Sequence, residues 1–164
     1  MERPRISIRR DFSDWLIEII GACFSVIMIG LPIYYYSELP DIIPSHFNAA
    51  GEPDDYNEKS VIWTLPIMGL ITYLGLLFLN QYPHIFNYPT PITEQNAEHQ
   101  YRIATKLIRT LNMVIVVGFS YISYSTIQAA FEQQIGLGTL FLPLFLLSIF
   151  GVVGFYLYTA FKRR

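Results

Sequence analysis

The chain has 164 residues, enough for one compact domain. Its apolar fraction is 52% and its charged fraction 15%, against about 45–50% and about 25% in a soluble domain, so too few charges remain to cover a water-facing surface. A net charge of −2 gives no bulk attraction to nucleic acid, and the one cysteine, Cys23, cannot make an internal disulfide or a cysteine-based zinc site.

The N-terminus reads MERPRISIRRDFSDW and then turns apolar. The apolar run is longer than a signal h-region of about 7–15 residues, and no small-x-small cleavage site follows it. It is therefore expected to stay as a first span over residues 15–36. Three more apolar stretches follow, at about 61–82, 107–127 and 139–161. Each is about 20 residues, the length that crosses a hydrocarbon core about 30 Å thick. Backbone in lipid must bond internally, and none of the runs alternates as a barrel strand would, so all four are expected to be helices. Pro32, Pro66 and Pro143 should kink their helices or mark the edges. Gly21, Ala22 and Ser25, and Gly151 with Gly154, should let helices pack closely within one bundle. The fold class is thus an all-α integral membrane protein of one domain, residues 1–164.

Basic residues orient it. Arg3, Arg5, Arg9 and Arg10 precede span one. Arg102, Lys106 and Arg109 precede or open span three, and Lys162, Arg163 and Arg164 follow span four. Only Lys59 falls on the other side. Both termini are expected in the cytoplasm, with the bilayer as the main partner. Between spans two and three, a helix capped by Thr93 should run into span three as a cytoplasmic extension, with Glu98 and Arg102 paired at i,i+4. Its basic face should meet either a partner or anionic headgroups. Glu18 is the one acid inside the spans, so no buried dyad or proton relay is expected. His84 should lie in a loop packed under the bundle, and His99 on an exposed turn.

The segment between spans one and two, residues 37–60, is dense in turn and polar chemistry. Pro40 and Pro44 stop a helix, Gly51 can take positive φ, and Asn48 can form an Asx-turn. Six carboxylates (Glu38, Asp41, Glu52, Asp54, Asp55, Glu58) stand against Lys59. Ile42, Ile43 and Phe47 are apolar enough to pack the segment onto the span ends, giving an ordered extracytoplasmic cap.

The string LPDIIPSHFNAAGEPDDYNEK resembles a bacterial domain-of-unknown-function membrane family. That domain also forms the N-terminal part of SdpI-type bacteriocin immunity proteins. The pattern is carried by Leu39, Pro40, Ile43, Pro44, His46, Phe47, Asn48, Gly51, Asp54 and Lys59, and HIFNYPTPITEQNAEHQYRIATKLIRTLN is similar to family members too. The resemblance implies a bacterial cytoplasmic membrane and an SdpI-like immunity or signalling role. The Arg-Thr-Pro-Trp type motif of the second SdpI domain does not occur, so the chain reads as a stand-alone first domain.

Pro40, Pro44, His46, Asn48, Gly51, Asp54 and Lys59 are thus the candidate ligand-binding or cap-structuring residues. His46 with Asp41, Asp54 or Glu58 could hold a metal, yet zinc usually takes several His or Cys and this loop has one His. His46 with Asp41 or Asp54 could act as an acid–base pair. No nucleophile elbow, HExxH helix or phosphate loop accompanies it, so neither an enzyme nor a cofactor is expected. The expected function is binding or sensing of a secreted peptide or small polar ligand through the outward loop. The alternative is a structural or accessory subunit of a membrane transport complex, contacting another membrane protein.

Overall fold

A computed structural model describes residues 3–133 and 136–162. Arg163 and Arg164, counted above among the orienting cations, lie outside the described residues. Helix α1 spans Phe12–Tyr35. It starts ahead of the expected boundary because Asp11 caps it. The Asp11 carboxylate accepts from the Asp14 N–H, and the Asp14 carboxylate accepts from the Asp11 N–H, both at 2.9 Å. This is a capping box built from two aspartates, and it satisfies donors that the first turn would otherwise orphan.

Residues 37–60 depart from the all-α expectation. Strands β1 (Ile42–Phe47) and β2 (Pro53–Glu58) pair antiparallel, with Ile43 opposite Asn57 and His46 opposite Asp55. At the start of β1 Ile42 is exposed while Ile43 and Pro44 are both buried, so burial does not alternate strictly along the strand. Pro44 sits beside a register shift, where a strand tolerates the loss of a ladder donor. A short 3-10 turn, Lys59–Trp63, leads into α2, Thr64–Leu79. Helix α3 runs unbroken from Ala97 to Ala130, and α4 spans Phe141–Lys162.

Thr93 does not cap α3. It braces the preceding turn, where Asn96 Oδ1 accepts from the Thr93 N–H and Thr93 Oγ1 accepts from the Asn96 N–H. Asn96 is the N-cap residue. Pro66 and Pro143 fall in first helical turns, where a missing N–H costs little. Pro32 lies in the last turn of α1.

Helix α3 is the central member and packs on α1, α2 and α4. Met28, Tyr73 and Val116 form the middle of the bundle. Gly21 admits the Tyr73 ring, to which an added Cβ would come within 3.2 Å, and Gly118 admits Phe145. Gly151 and Gly154 do not mediate packing: a Cβ at either meets nothing within 4 Å. Four helical stretches, Phe12–Tyr35, Lys59–Leu79, Ala97–Ala130 and Phe141–Lys162, are long and apolar enough to cross a membrane. Val26, Ile33, Ile71, Leu74, Leu147 and Phe150 point outward and exposed, a surface suited to lipid, since soluble monomers rarely expose such continuous apolar area.

The hairpin docks on one end of the bundle. Leu39, Ile43, Ile62 and Ile127 form a buried cluster there, flanked by Tyr35, Trp63 and Phe131. Gly51 at the hairpin tip accepts a 2.7 Å hydrogen bond from the Leu137 N–H, in the α3–α4 connection.

Candidate functional site

The hairpin brings the sequence-selected residues together in three groups. Asn48 organises the tip. Its Oδ1 accepts from the N–H groups of Ala50 (2.9 Å) and Glu52 (3.1 Å), and its own N–H donates to the Glu52 carbonyl. Gly51 closes the turn at φ +81, a conformation that only glycine adopts without strain.

His46 and Asp54 form the second group, with Nδ1 2.6 Å from Oδ1. Of the candidate carboxylates, it is Asp54 that reaches His46; Asp41 faces Lys59 instead. The two side chains are 67% and 42% exposed, and a pair this open is worth about 0–1 kcal/mol. Beside it, Asp55 accepts from Ser45 Oγ at 3.0 Å, and Asn57 Nδ2 donates to Ser45 Oγ at 3.0 Å.

Lys59 is the third group and belongs to the base of the hairpin. Its Nζ stands 3.3 Å from Asp41 Oδ1 and 5.6 Å from the centre of the Tyr36 ring. Pro44 is buried against the bundle, whereas Pro40 is exposed. No cluster of three or more His, Cys, Asp or Glu residues suited to a metal ion occurs among the described residues.

Strand β2 is the outer strand of the pair. The sheet has two strands and β1 is the one that faces α3. Every β2 residue from Asp54 to Glu58 is exposed. Its far edge therefore presents backbone donors and acceptors to solvent, in a frame of carboxylates.

A second polar constellation lies at the opposite end, and sequence reasoning missed it. Arg109 on α3 turns inward to the acids of α1. Its Nε donates to Glu18 Oε1 at 2.8 Å, and its Nη1 lies 3.5 Å from Asp14 Oδ1. The Arg109 and Asp14 side chains are 5% and 4% exposed. Arg10 adds a 3.3 Å contact to Glu18, and Lys106 reaches Asp11 at 3.1 Å. Three acids thus meet three bases. Arg109 is thus taken up inside the bundle and not on the surface expected of this helix face, whereas Lys106 pairs with Asp11 and stays 40% exposed. The signal was present in part: Asp14 and Glu18 are one helical turn apart on the same face, as are Lys106 and Arg109 within one turn on α3.

Two further polar side chains tie this end together. Asn80 Nδ2 donates to the Thr105 carbonyl at 3.2 Å, and Asn112 Nδ2 to the Tyr73 carbonyl at 3.1 Å. The loop after α2 folds under the bundle as expected. Phe86 and Tyr88 pack on Ala104, Tyr156 and Ala160. Arg3 donates to the carbonyls of His84 and Phe86 and lies over the Tyr88 ring. Burial holds the Tyr88 phenol well above its ordinary pKa, with neighbouring Tyr156 and Tyr101 adding to the effect. His99 is half-buried, not exposed, and its Nε2 finds no partner among the described residues.

Residues 23–70 match the family described as Domain of unknown function (DUF1648). This segment covers the second half of α1, the whole hairpin and the first turns of α2. An uncharacterized protein of Archaeoglobus fulgidus is 27% identical over 120 residues, covering 65% of this chain and 66% of that protein. The chain therefore spans just under two thirds of that relative's length. No solved structure matches the chain. The matched family segment is centred on the hairpin.

Proposed function

We propose that this is an integral plasma-membrane protein that captures an extended cationic peptide on the open edge of its extracytoplasmic hairpin. The observation that carries the reading is the state of β2. It is an exposed edge strand, lined by Asp54, Asp55 and Glu58, and held on a frame that is packed and clamped. An unpaired edge accepts another strand through main-chain hydrogen bonds. Charges on such an edge normally repel added strands. Acidic side chains do so selectively, opposing neutral and acidic segments while drawing in basic ones.

Orientation supports the same reading. Arg3, Arg5, Arg9, Arg10, Arg102 and Lys162 gather at the end away from the hairpin, which the positive-inside rule assigns to the cytoplasm. The resemblance to SdpI-type proteins adds a role, immunity to a secreted toxic peptide, in which capture on the hairpin would come first.

The test uses the whole chain in neutral nanodiscs and a labelled ten-residue peptide of alternating Lys and Val. Anisotropy should show saturable binding that weakens steeply with salt. It should be lost in Asp54→Asn/Asp55→Asn/Glu58→Gln, with helix content unchanged. Binding that survives this triple replacement would remove the hairpin edge as the site. Challenge with a secreted cationic toxin, using wild type and His46→Ala/Asp54→Ala, then reads the immunity role: equal survival of cells with and without the gene would rule that role out.

A further inference from the structure

The end of the bundle opposite the hairpin encloses a cavity of about 470 Å³, within the range of about 300–1,000 Å³ common to ligand sites. Its wall combines Arg5 and Arg10 of the extended N-terminal segment, Glu18 of α1, Asn80 at the end of α2, and Arg109 of α3. The charge of Glu18 is already taken up by Arg109 at 2.8 Å and Arg10 at 3.3 Å. Arg5 makes no hydrogen bond or ion pair with any described residue and stands ready on the wall.

Two buried atoms on this wall lack hydrogen-bond partners among the described residues: Arg109 Nη1 and Asn80 Oδ1. Their residues are 6% and 8% exposed. Arg109 Nη1 has its ion-pair contact to Asp14 at 3.5 Å but no hydrogen bond. Buried polar groups in native proteins are nearly always satisfied, and exceptions call for an explanation. Arg109 Nη1 faces Asp14 Oδ1, which is likewise without a hydrogen bond, so that ion pair accounts for both atoms. The Asn80 acceptor remains, and with the unpaired Arg5 guanidinium it asks for an anionic oxygen beside a hydroxyl. Guanidinium groups suit phosphate oxygens in particular, through their planar fork of donors.

Depth points to the source of that phosphate. Arg109 lies roughly 30 Å along the α3 axis from Ala130, at 1.5 Å per residue, which is one hydrocarbon thickness. With the far end of α3 at one boundary of the core, the cavity opens at the other, where headgroups sit. Leu77, Ile6 and Ile8 on its wall suit the glycerol and acyl ends of a lipid. We propose that the cavity binds a phosphate group bearing a hydroxyl substituent, supplied by an anionic glycerophospholipid. Basic pockets between helices at the cytoplasmic boundary are known to take such headgroups.

The test is native mass spectrometry and thermal unfolding of the full chain in neutral detergent. Phosphatidylglycerol, phosphatidylcholine and glycerol 3-phosphate serve as separate probes. One phosphatidylglycerol should bind at least tenfold more tightly than phosphatidylcholine. Arg5→Ala should weaken it about tenfold, whereas Arg9→Ala, a neighbouring arginine off the cavity wall, should change it less than twofold. An Arg5-dependent shift with glycerol 3-phosphate equal to that with the lipid would support the site and assign it to a soluble phosphate. Equal binding of the two lipids with no effect of glycerol 3-phosphate would overturn the proposal. So would an equal loss in Arg5→Ala and Arg9→Ala, which would reduce the effect to diffuse attraction.

Discussion

Arg109 and Asp11 show how differently single charges act at two ends of one network. Arg109 is buried with Asp14 and Glu18, where desolvation has been compensated only by mutual attraction and hydrogen bonds. Arg109→Met should therefore cost about 3–5 kcal/mol, because it takes the close ion-pair partner from buried Asp14 and leaves Glu18 with Arg10 alone. Thermal unfolding in detergent would read this, and Asp14→Asn/Glu18→Gln in the Arg109→Met background should restore most of the loss. Asp11 is exposed, and its effect is on pH dependence. Its pKa is held well below the carboxylate value of 3.8, by the Ser13 hydroxyl first, then by the Asp14 N–H and Lys106. A depressed folded pKa means that its contribution is present above the unfolded value and lost as pH falls below it. Acidification from about pH 4 downward should thus loosen the first turn of α1. Asp11→Asn should flatten that acid limb in a melting-temperature profile.

At the scale of elements, the hairpin is a small sheet that could not stand alone, since an isolated two-stranded hairpin is marginal in water. It borrows its stability from Leu39, Ile43, Ile62 and Ile127 beneath, and from the Gly51–Leu137 hydrogen bond at the tip. Gly51→Ala tests the tip. The position has φ +81, and a Cβ there would come within 2.7 Å of the Gly138 carbonyl oxygen. The left-handed backbone alone should cost about 1–2 kcal/mol. Hydrogen exchange should show faster opening at residues 42–58 with the four long helices unchanged. The ordering of this segment was legible in its prolines, Asn48 and Gly51. Its strands were not, because Asp-Asp-Tyr-Asn-Glu has no apolar alternation to announce a strand with two wet faces. Only the partner, β1, gives such a strand its conformation. Likewise Thr93 read as a helix cap because its local chemistry is right, but its side chain braces the turn before the helix, which starts at Ala97 after Asn96.

For the whole molecule, the four apolar stretches were visible in hydropathy alone, since a span must be a continuous run. The buried charges were not, because they come from residues more than ninety positions apart and meet only through packing of α1 on α3. A pattern read along one helix shows Arg109 as part of a basic face; the acids that claim it lie on another. Sidedness is open to a direct test. In a Cys23→Ser background, Glu58→Cys should react with a membrane-impermeant maleimide on intact cells. Glu98→Cys should react only after permeabilisation. Labelling of both from outside would contradict the orientation drawn from the basic residues.

The unbroken α3 has a mechanical consequence. Ile127, near one end, is embedded under the hairpin, and Arg109 and the turns before it engage α1, α2 and the inner loop. The helix has 34 residues, about 51 Å at 1.5 Å per residue, and carries no proline. Met113, near the midpoint, lies beside Gly21 of α1. A rod pivoting there is an equal-armed lever. A displacement of one or two ångströms imposed at the hairpin end would arrive at the far end of the helix undiminished and reversed in direction.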